Sequence, residues 1–288
     1  MEGKSRESDG ASRVATIEES MERTREKIAR MLKEGVVSGV LGLRLRHGHH
    51  IPYLFTDSAS LEDWGVDEAN RYPMTKILVR ISKRHTKEVI GVVVRGCEER
   101  SLIELFKNHQ LHPEKVKAIG IVCSQDLAKR CRCDRPYPSE VEEGELAKPA
   151  GDLSDLTEIE SLPEEERFTY WMEKFGKCIK CYACRNVCPA CFCNTCTLED
   201  PSLIKPGGMP PDIPIFHLHK AFHMADRCID CGLCEEACPM GIPIRKLYRR
   251  VRNSVKNLFG YVPGEKEDEK GPLEFLGDGS YELPGTGR

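Results

Sequence analysis

One spacing of four cysteines occurs twice in this chain, and it constrains the fold more than any other feature. Each copy reads Cys-x2-Cys-x2-Cys-x3-Cys-Pro, first over residues 178–189 and again over residues 228–239. Thiols separated by only two residues lie on the same side of the chain only where the backbone winds into a tight loop. The two runs therefore predict two loops that each turn several sulfur atoms toward a common centre.

This spacing is typical of bacterial two-cluster ferredoxins, in which the fourth cysteine of each run ligates the cluster of the other run. On that rule the ligands of the first cluster are Cys178, Cys181, Cys184 and Cys238. The ligands of the second cluster are Cys228, Cys231, Cys234 and Cys188. The predicted cofactors are thus two [4Fe–4S] clusters.

Zinc and disulfides are the alternatives for a chain so rich in cysteine. Zinc usually takes two separated Cys-x2-Cys pairs, whereas each run here packs four cysteines into eleven residues. Disulfides are disfavoured because fifteen cysteines is an odd number and because the polar first residues show no secretory signal. Reduced thiols in this number indicate a cytoplasmic protein, and exposed [4Fe–4S] clusters suit anaerobic metabolism.

Length and charge restrict the remaining classes of protein. A chain of 288 residues suggests about two domains. The net charge of −3 gives no polycationic character, so no nucleic acid partner is predicted. No stretch approaches the roughly 18 apolar residues of a transmembrane helix, so no membrane span is predicted either.

The first half of the chain predicts a small α/β domain over residues 14–138, preceded by a disordered segment, 1–13. An amphipathic helix over 14–33 is followed by two strands within 36–55, joined by a turn near Gly48. The histidines at this turn could bind a metal, although a polar turn is the favoured interpretation: His47, His49 and His50.

A βαβ unit follows, with strands over 88–94 and 116–122 and a helix over 98–108. Cys97 and Cys123 then lie at the carboxyl edge of a parallel sheet, where such sheets bind ligands. A helix N-terminus also favours the thiolate of Cys97. With two thiols of the next loop, four cysteines form a possible third [4Fe–4S] cluster: Cys97, Cys123, Cys131 and Cys133. Two buried structural cysteines and an exposed pair are the alternative.

The acidic residues 139–163 predict a linker, with a docking surface for a basic partner as the alternative. Residues 164–259 predict a dicluster domain whose first helix begins at a capping box formed by Ser161 and Glu164. The predicted fold class is α+β: an α/β domain containing a βαβ unit, then a two-cluster ferredoxin-like domain with a long insertion over 189–227.

The insertion carries three more cysteines, which could be ligands of an additional centre or neighbours of a cluster. We adopt the ligand role for Cys191, Cys193 and Cys196. His219 and His223 share a helical face and could chelate a metal, although hydrogen-bonded structure is favoured. A basic helix over 244–258 predicts a solvated face or a docking site for an acidic partner, and residues 260–288 predict a flexible tail.

Four segments resemble known proteins. VVVRGCEERSLIEL (92–105) and VKAIGIVC (116–123) resemble the iron–sulfur β-subunit family of deazaflavin-coenzyme-reducing hydrogenases and formate dehydrogenases. WMEKFGKCIKCYACRNVCPACFCNTC (171–196) and HMADRCIDCGLCEEACPMGIP (223–243) resemble dicluster proteins of anaerobes related to that family. The resemblance implies an iron–sulfur subunit that works with a formate dehydrogenase or hydrogenase and a heterodisulfide-reductase-like flavoprotein.

The favoured function is electron transfer within a multisubunit oxidoreductase, without catalytic residues of its own. The chain lacks the glycine-rich fingerprints of dinucleotide and nucleotide-phosphate sites, and a bound flavin is not expected. The alternative is a flavin- or deazaflavin-dependent β subunit with a catalytic site near Cys97. A structural or nucleic-acid-binding iron–sulfur protein is the third hypothesis, supported only by the basic helix.

Overall fold

The computed structural model describes residues 17–141, 146–205, 207–212 and 214–274. The segment predicted to be disordered, 1–13, and most of the predicted tail, 275–288, lie outside the described residues. The first described element is helix α1, Ile17–Lys33, which agrees with the amphipathic helix predicted there.

A β-hairpin follows, formed by strands β1 (Gly39–Arg46) and β2 (His49–Phe55). The strands pair antiparallel, and Arg46 lies opposite His49. The two turn residues between them both have positive φ, 49° at His47 and 79° at Gly48. Such a turn matches the right-handed twist of paired strands, so the two predicted strands and their turn are confirmed.

The sheet is completed by β3 (Trp64–Gly65), β4 (Ile90–Val94) and β5 (Val116–Gly120). Its order is β2-β1-β4-β5, with β3 paired antiparallel to β1. Strand β4 lies parallel to both β1 and β5. Helices α2 (Met74–Arg84) and α3 (Gly96–Lys107) connect this part of the chain, and β4, α3 and β5 form the predicted βαβ unit.

Helices cover both faces of the sheet. Leu78 of α2 and Leu102 of α3 pack with Val92 on one face. Ile28 of α1 packs with Val93 and Ile119 on the other face. Alternate residues of β4 thus enter two different cores, which is why this strand is apolar throughout rather than alternating.

The second half of the described chain is mainly helical. Its helices are α4 (Gln125–Cys131), α5 (Ser154–Glu160), α6 (Glu164–Phe175), α7 (Ala183–Asn186), α8 (Ile215–His223), α9 (Leu233–Glu236) and α10 (Ile244–Phe259). No helix in the described part of the chain is long and apolar enough to cross a membrane.

The capping box predicted for α6 is wrong. Ser161 ends α5 as its C-terminal cap, and the residue that precedes α6 is Pro163, whose side chain makes no capping hydrogen bond. Three consecutive glutamates in the first turn of α6 interact favourably with the positive end of its dipole instead. The predicted helix exists, but charge stabilises its start.

The expectation of a solvated acidic linker is also wrong for part of residues 139–163. Helix α5 lies in this segment and buries Leu156 and Ile159. Asp155 of α5 pairs with Arg249 of α10 at 2.7 Å. The basic helix therefore binds acidic residues of its own chain, and the domain boundaries 14–138 and 164–259 remain a prediction.

Candidate iron–sulfur centres

The two cysteine runs fold as equivalent loops. The second residue after the first cysteine is left-handed in both, with φ of 54° at Lys180 and 56° at Asp230. The residue after the second cysteine is left-handed as well, with φ of 58° at Tyr182 and 78° at Gly232. A short helix follows each loop, α7 in the first run and α9 in the second. The repeat in the sequence is thus a repeat of backbone conformation.

Backbone amides in these loops donate hydrogen bonds to sulfur. The N–H of Lys180 donates to Sγ of Cys178, and the N–H of Ile242 donates to Sγ of Cys238, each at 3.4 Å. Burial raises the pKa of Cys231 to about 12, against a hydrogen bond from the Leu233 amide that lowers it. Such amides favour the thiolate form that a metal requires.

The four predicted ligands of the second cluster line one cavity: Cys188, Cys228, Cys231 and Cys234. About 390 Å³ there is not filled by protein atoms, open solvent at its mouth included. Cys188 comes from the first run and the other three come from the second run. The chain therefore brings the fourth cysteine of one run to the loop of the other, as the ferredoxin rule requires.

The four predicted ligands of the first cluster are less enclosed. Cys178, Cys184 and Cys238 pack against the buried cluster that contains Phe175. Cys181 is exposed. Burial raises the pKa of Cys184 to about 11, opposed by the ammonium of Lys220 and helped by the neighbouring thiols. This set lies closer to solvent than the second one.

The four cysteines of the possible third cluster also line a single cavity: Cys97, Cys123, Cys131 and Cys133. About 340 Å³ there is not filled by protein atoms, open solvent included. Cys97 is the second residue of α3, directly after β4, and Cys123 follows β5. Cys131 ends α4, and the left-handed residue Arg132 turns the chain toward Cys133. The carboxyl edge of the parallel strands thus gathers these thiols, as predicted.

Three arginines surround this third set. Arg71 and Arg95 line the same cavity, and Nη2 of Arg100 lies 3.8 Å from Sγ of Cys133. Burial alone would lower the pKa of Arg71, but the thiolate of Cys97 and the carboxylate of Glu236 raise it above its usual value. Fixed positive charges therefore face the sulfur atoms, a feature that the sequence analysis missed.

The expected effect of the helix N-terminus on Cys97 is wrong. Burial and the adjacent carboxylate of Glu98 raise the pKa of this thiol to about 11, although Arg71 and Arg100 lower it. Desolvation disfavours the charged form more than nearby dipoles and cations favour it. An iron atom is the kind of partner that would deprotonate such a thiol outright.

The remaining cysteines line a larger, open cavity of about 610 Å³: Cys191, Cys193 and Cys196. They differ in environment, because Cys193 is exposed whereas Cys191 and Cys196 are partly buried. Cys191 hydrogen-bonds to Cys188, which raises its pKa far above the usual range. It therefore contacts a ligand of the second set, as a neighbour of a cluster would.

A buried lysine lies between the two cysteine runs. Lys220 of α8 is 3% exposed, and its Nζ donates to Sγ of Cys191 at 3.2 Å. A second lysine, Lys76 of α2, donates from Nζ to the carbonyls of Arg185, Cys188 and Cys191. Neither lysine stood out in the sequence, because nothing local marks a lysine as buried.

The histidines form hydrogen bonds and ring contacts. Nε2 of His219 lies 2.6 Å from Oγ1 of Thr197, and its ring lies 4.3 Å from the ring of His223. Nδ1 of His50 lies 3.8 Å from Asp67. Among the described residues, no three His, Cys, Asp or Glu side chains lie close enough to hold a single metal ion. The favoured interpretations, hydrogen-bonded structure and a polar turn, agree with these contacts.

Comparison with protein families identifies the class of protein to which this site belongs. The 4Fe-4S binding domain family matches residues 221–244, which contain the complete second cysteine run. Together with the crossed cysteine set around one cavity, this match makes the chain an iron–sulfur protein of the [4Fe–4S] class.

Relatives then narrow the class. The chain is 40% identical over 105 residues to the F420-dependent formate dehydrogenase subunit beta of Methanocaldococcus jannaschii, an alignment that covers 36% of this chain and 27% of that protein. It is 37% identical over 102 residues to the F420-dependent formate dehydrogenase 1 subunit beta of Methanococcus maripaludis, covering 35% of this chain and 26% of that protein.

A third match is 27% identical over 106 residues to the acetyl-CoA decarbonylase/synthase complex subunit alpha 1 of Methanosarcina acetivorans, covering 37% of this chain and 11% of that protein. The chain thus spans about a quarter or less of the relatives it matches. It is an iron–sulfur protein related to the β subunits of F420-dependent formate dehydrogenases. The predicted resemblance is confirmed.

Proposed function

We propose that this chain is an electron-transfer subunit of an anaerobic, cytoplasmic oxidoreductase complex. Its partners would be a formate dehydrogenase or hydrogenase on one side and a flavoprotein of heterodisulfide-reductase type on the other. The observation that carries the proposal is the cavity lined by Cys188 together with Cys228, Cys231 and Cys234. Two distant segments of chain contribute to one set of thiols, which is the arrangement of a two-cluster ferredoxin.

A bound [4Fe–4S] cluster supplies one-electron redox chemistry without general acids or bases. The residues of this chain would hold each cluster and adjust its surroundings. Amides such as those of Lys180 and Ile242 direct hydrogen bonds at sulfur. Apolar groups such as Phe175 and Tyr248 exclude water from the thiols. Hydrogen bonding and hydration of this kind tune cluster potentials.

We include a third [4Fe–4S] cluster in the proposal, held by Cys97, Cys123, Cys131 and Cys133. Its support is the shared cavity and the arginines that face it. Cys231 lines this cavity as well as the cavity of the second set. The two sets therefore adjoin, and the third set extends the second one toward the sheet. A ligand role for Cys191, Cys193 and Cys196 remains a prediction.

The alternative is a flavin- or deazaflavin-dependent oxidoreductase with its own catalytic site near Cys97. The names of the two formate dehydrogenase relatives favour keeping it, because both are F420-dependent. Against it, the cavity beside Cys97 is lined by four thiols and is small. Flavin content separates the two functions, since a carrier made only of clusters contains none.

The decisive experiment is anaerobic measurement of iron, acid-labile sulfide and flavin on the purified chain, with EPR of the reduced state. Three clusters give about twelve irons per chain, and two give about eight. Cys231→Ser and Cys133→Ser should each remove about four irons, one from each of two different sets. The matched control is Cys193→Ser, the same replacement at an exposed thiol outside the three sets.

Two outcomes would contradict the proposal. Iron content that is unchanged by Cys231→Ser would remove the dicluster assignment. An iron count of about eight, before and after Cys133→Ser, would remove the third cluster and leave a plain two-cluster carrier. Stoichiometric flavin would replace electron transfer with the alternative function.

A further inference from the structure

Lys220 is a buried cation with unusual neighbours. Its side chain leaves the inner face of α8, and the residue is 3% exposed. Its Nζ lies 3.2 Å from Sγ of Cys191 and 5.4 Å from the centre of the Tyr248 ring. The outer face of the same helix is exposed at Ile215 and Phe222, so helical periodicity turns the lysine inward.

The charge of Lys220 is offset by sulfur. The groups that act most strongly on it in the described part of the chain are Tyr248 and the thiols of Cys184, Cys188 and Cys191, with no carboxylate among them. An isolated buried ammonium group is costly because it loses hydration. In this site only thiolates, or a cluster bound to them, supply the opposing negative charge.

Lys220 faces both proposed ferredoxin-type clusters. Cys184 belongs to the first ligand set and Cys188 to the second, and each interacts electrostatically with the ammonium group. Cys234, another ligand of the second set, does so too. The lysine therefore lies between the two sets and not beside one of them.

We propose that Lys220 is the counter-charge shared by the two ferredoxin-type clusters and that it raises the reduction potential of both. This inference rests on the proposed function. Reduction adds one electron, and hence one negative charge, to a cluster and its thiolates. A fixed positive charge in a buried, weakly screened position stabilises the reduced form more than the oxidised form. Lys220 is thus a positioning residue for electrons, acting through the cysteines that it faces.

Redox titration of the intact chain, followed by EPR under anaerobic conditions with dithionite as reductant, tests this inference. Lys220→Met removes the charge and should lower the midpoint potentials of the ferredoxin-type clusters. Lys220→Arg keeps the charge and should retain potentials near those of the unmodified chain. Lys220→Gln keeps a donor for Cys191 without the charge, and it should behave like Lys220→Met.

The matched control is Lys177→Met, which removes the same charge from an exposed lysine next to Cys178. Water and salt screen a charge at that position, so its potentials should stay close to those of the unmodified chain. For the same reason, adding salt should change the potentials of the unmodified chain much less than Lys220→Met does. This last measurement needs a variant only for its scale.

Iron and sulfide content is measured on every variant first. If Lys220→Met does not retain its clusters, Lys220→Gln carries the comparison. Potentials of a fully loaded Lys220→Gln or Lys220→Met variant that equal those of Lys177→Met would overturn the inference. That result leaves the proposed function intact, whereas an unmodified chain without reducible clusters would remove the function itself.

Discussion

Individual residues store the conformational cost of the two cysteine loops. Three of the four left-handed positions are not glycine, and each such position costs roughly 1–2 kcal/mol. Side chains hold these residues in place. The hydroxyl of Tyr182 donates to the carbonyl of Leu198 at 2.9 Å, and the carboxylate of Asp230 pairs with Arg245 at 2.7 Å. The same residues that shape the loops therefore anchor them to the surrounding structure.

His217 should make the stability of the protein depend on pH. It is 1% exposed, its ring stacks on Phe175 at 4.3 Å, and burial followed by the charge of Lys220 lowers its pKa to about 4. The unfolded chain binds a proton near pH 6.5, whereas the folded chain does so only near pH 4. This histidine therefore has no effect above pH 6.5 and destabilises the fold progressively as the pH falls toward 4.

His217→Phe should remove that dependence. Between pH 7.5 and 5.5 the unmodified chain should lose about 1 kcal/mol more unfolding free energy than the variant. Anaerobic chemical denaturation at the two pH values measures the difference. The matched control is His112→Phe, since the side chain of His112 is 74% exposed, and it should follow the unmodified chain. Parallel pH profiles for the unmodified chain and His217→Phe would contradict the argument.

At the scale of elements, the main finding is that α5 docks on α10 through charge. Arg249 pairs with Asp155 at 2.7 Å and with Asp230 at 3.3 Å, and it also donates to the carbonyl of Asp152. Its side chain is 4% exposed. Arg250, the next residue, pairs with Glu160, but both partners are largely exposed. One helix thus makes a buried and a surface ion pair with the same acidic segment.

Arg249→Met should lower the unfolding free energy by about 3 kcal/mol, because it leaves two carboxylates buried without a cation. Arg250→Met is the matched control and should cost less than about 1 kcal/mol, as water already screens its pair. Chemical denaturation measures both. Equal losses for the two variants would show that burial does not distinguish these pairs, and the docking of α5 would then need another explanation.

At the scale of the whole molecule, a lysine joins the sheet to the cysteine loops. Lys76 lies on α2, which packs on the sheet, and its Nζ binds three carbonyls within residues 185–191 at 2.9–3.1 Å. One of these carbonyls belongs to Cys188, the cysteine that crosses to the second set. The position of the crossing ligand therefore depends on an element more than a hundred residues earlier in the chain.

Lys76→Met should loosen this connection. Three carbonyls lose a charged donor, so we expect a loss of about 2 kcal/mol in unfolding free energy and faster hydrogen exchange within residues 185–191. Lys83→Met, two turns further along α2 at an exposed position, is the matched control and should change neither quantity. Unaltered exchange in Lys76→Met would mean that the loop is held by its own contacts alone.

The sequence by itself determined the parts of this protein that depend on local spacing. The cysteine runs predict the cluster-binding loops because the separation of thiols along the chain limits how they can converge. Periodicity predicts α1, the β1–β2 hairpin and the βαβ unit, because one apolar face must be buried. Cys97 and Cys123 were placed at one edge of the sheet for the same reason.

Only the tertiary structure decided which distant groups meet. The cavity shared by Cys188 with the second run, the contact of Cys231 with the third set and the burial of Lys220 all join segments far apart in sequence. The capping box at Ser161 and the solvated acidic linker were mispredicted for a related reason. A polar or charged residue has the same local pattern whether water or a buried partner satisfies it, and only packing decides between the two.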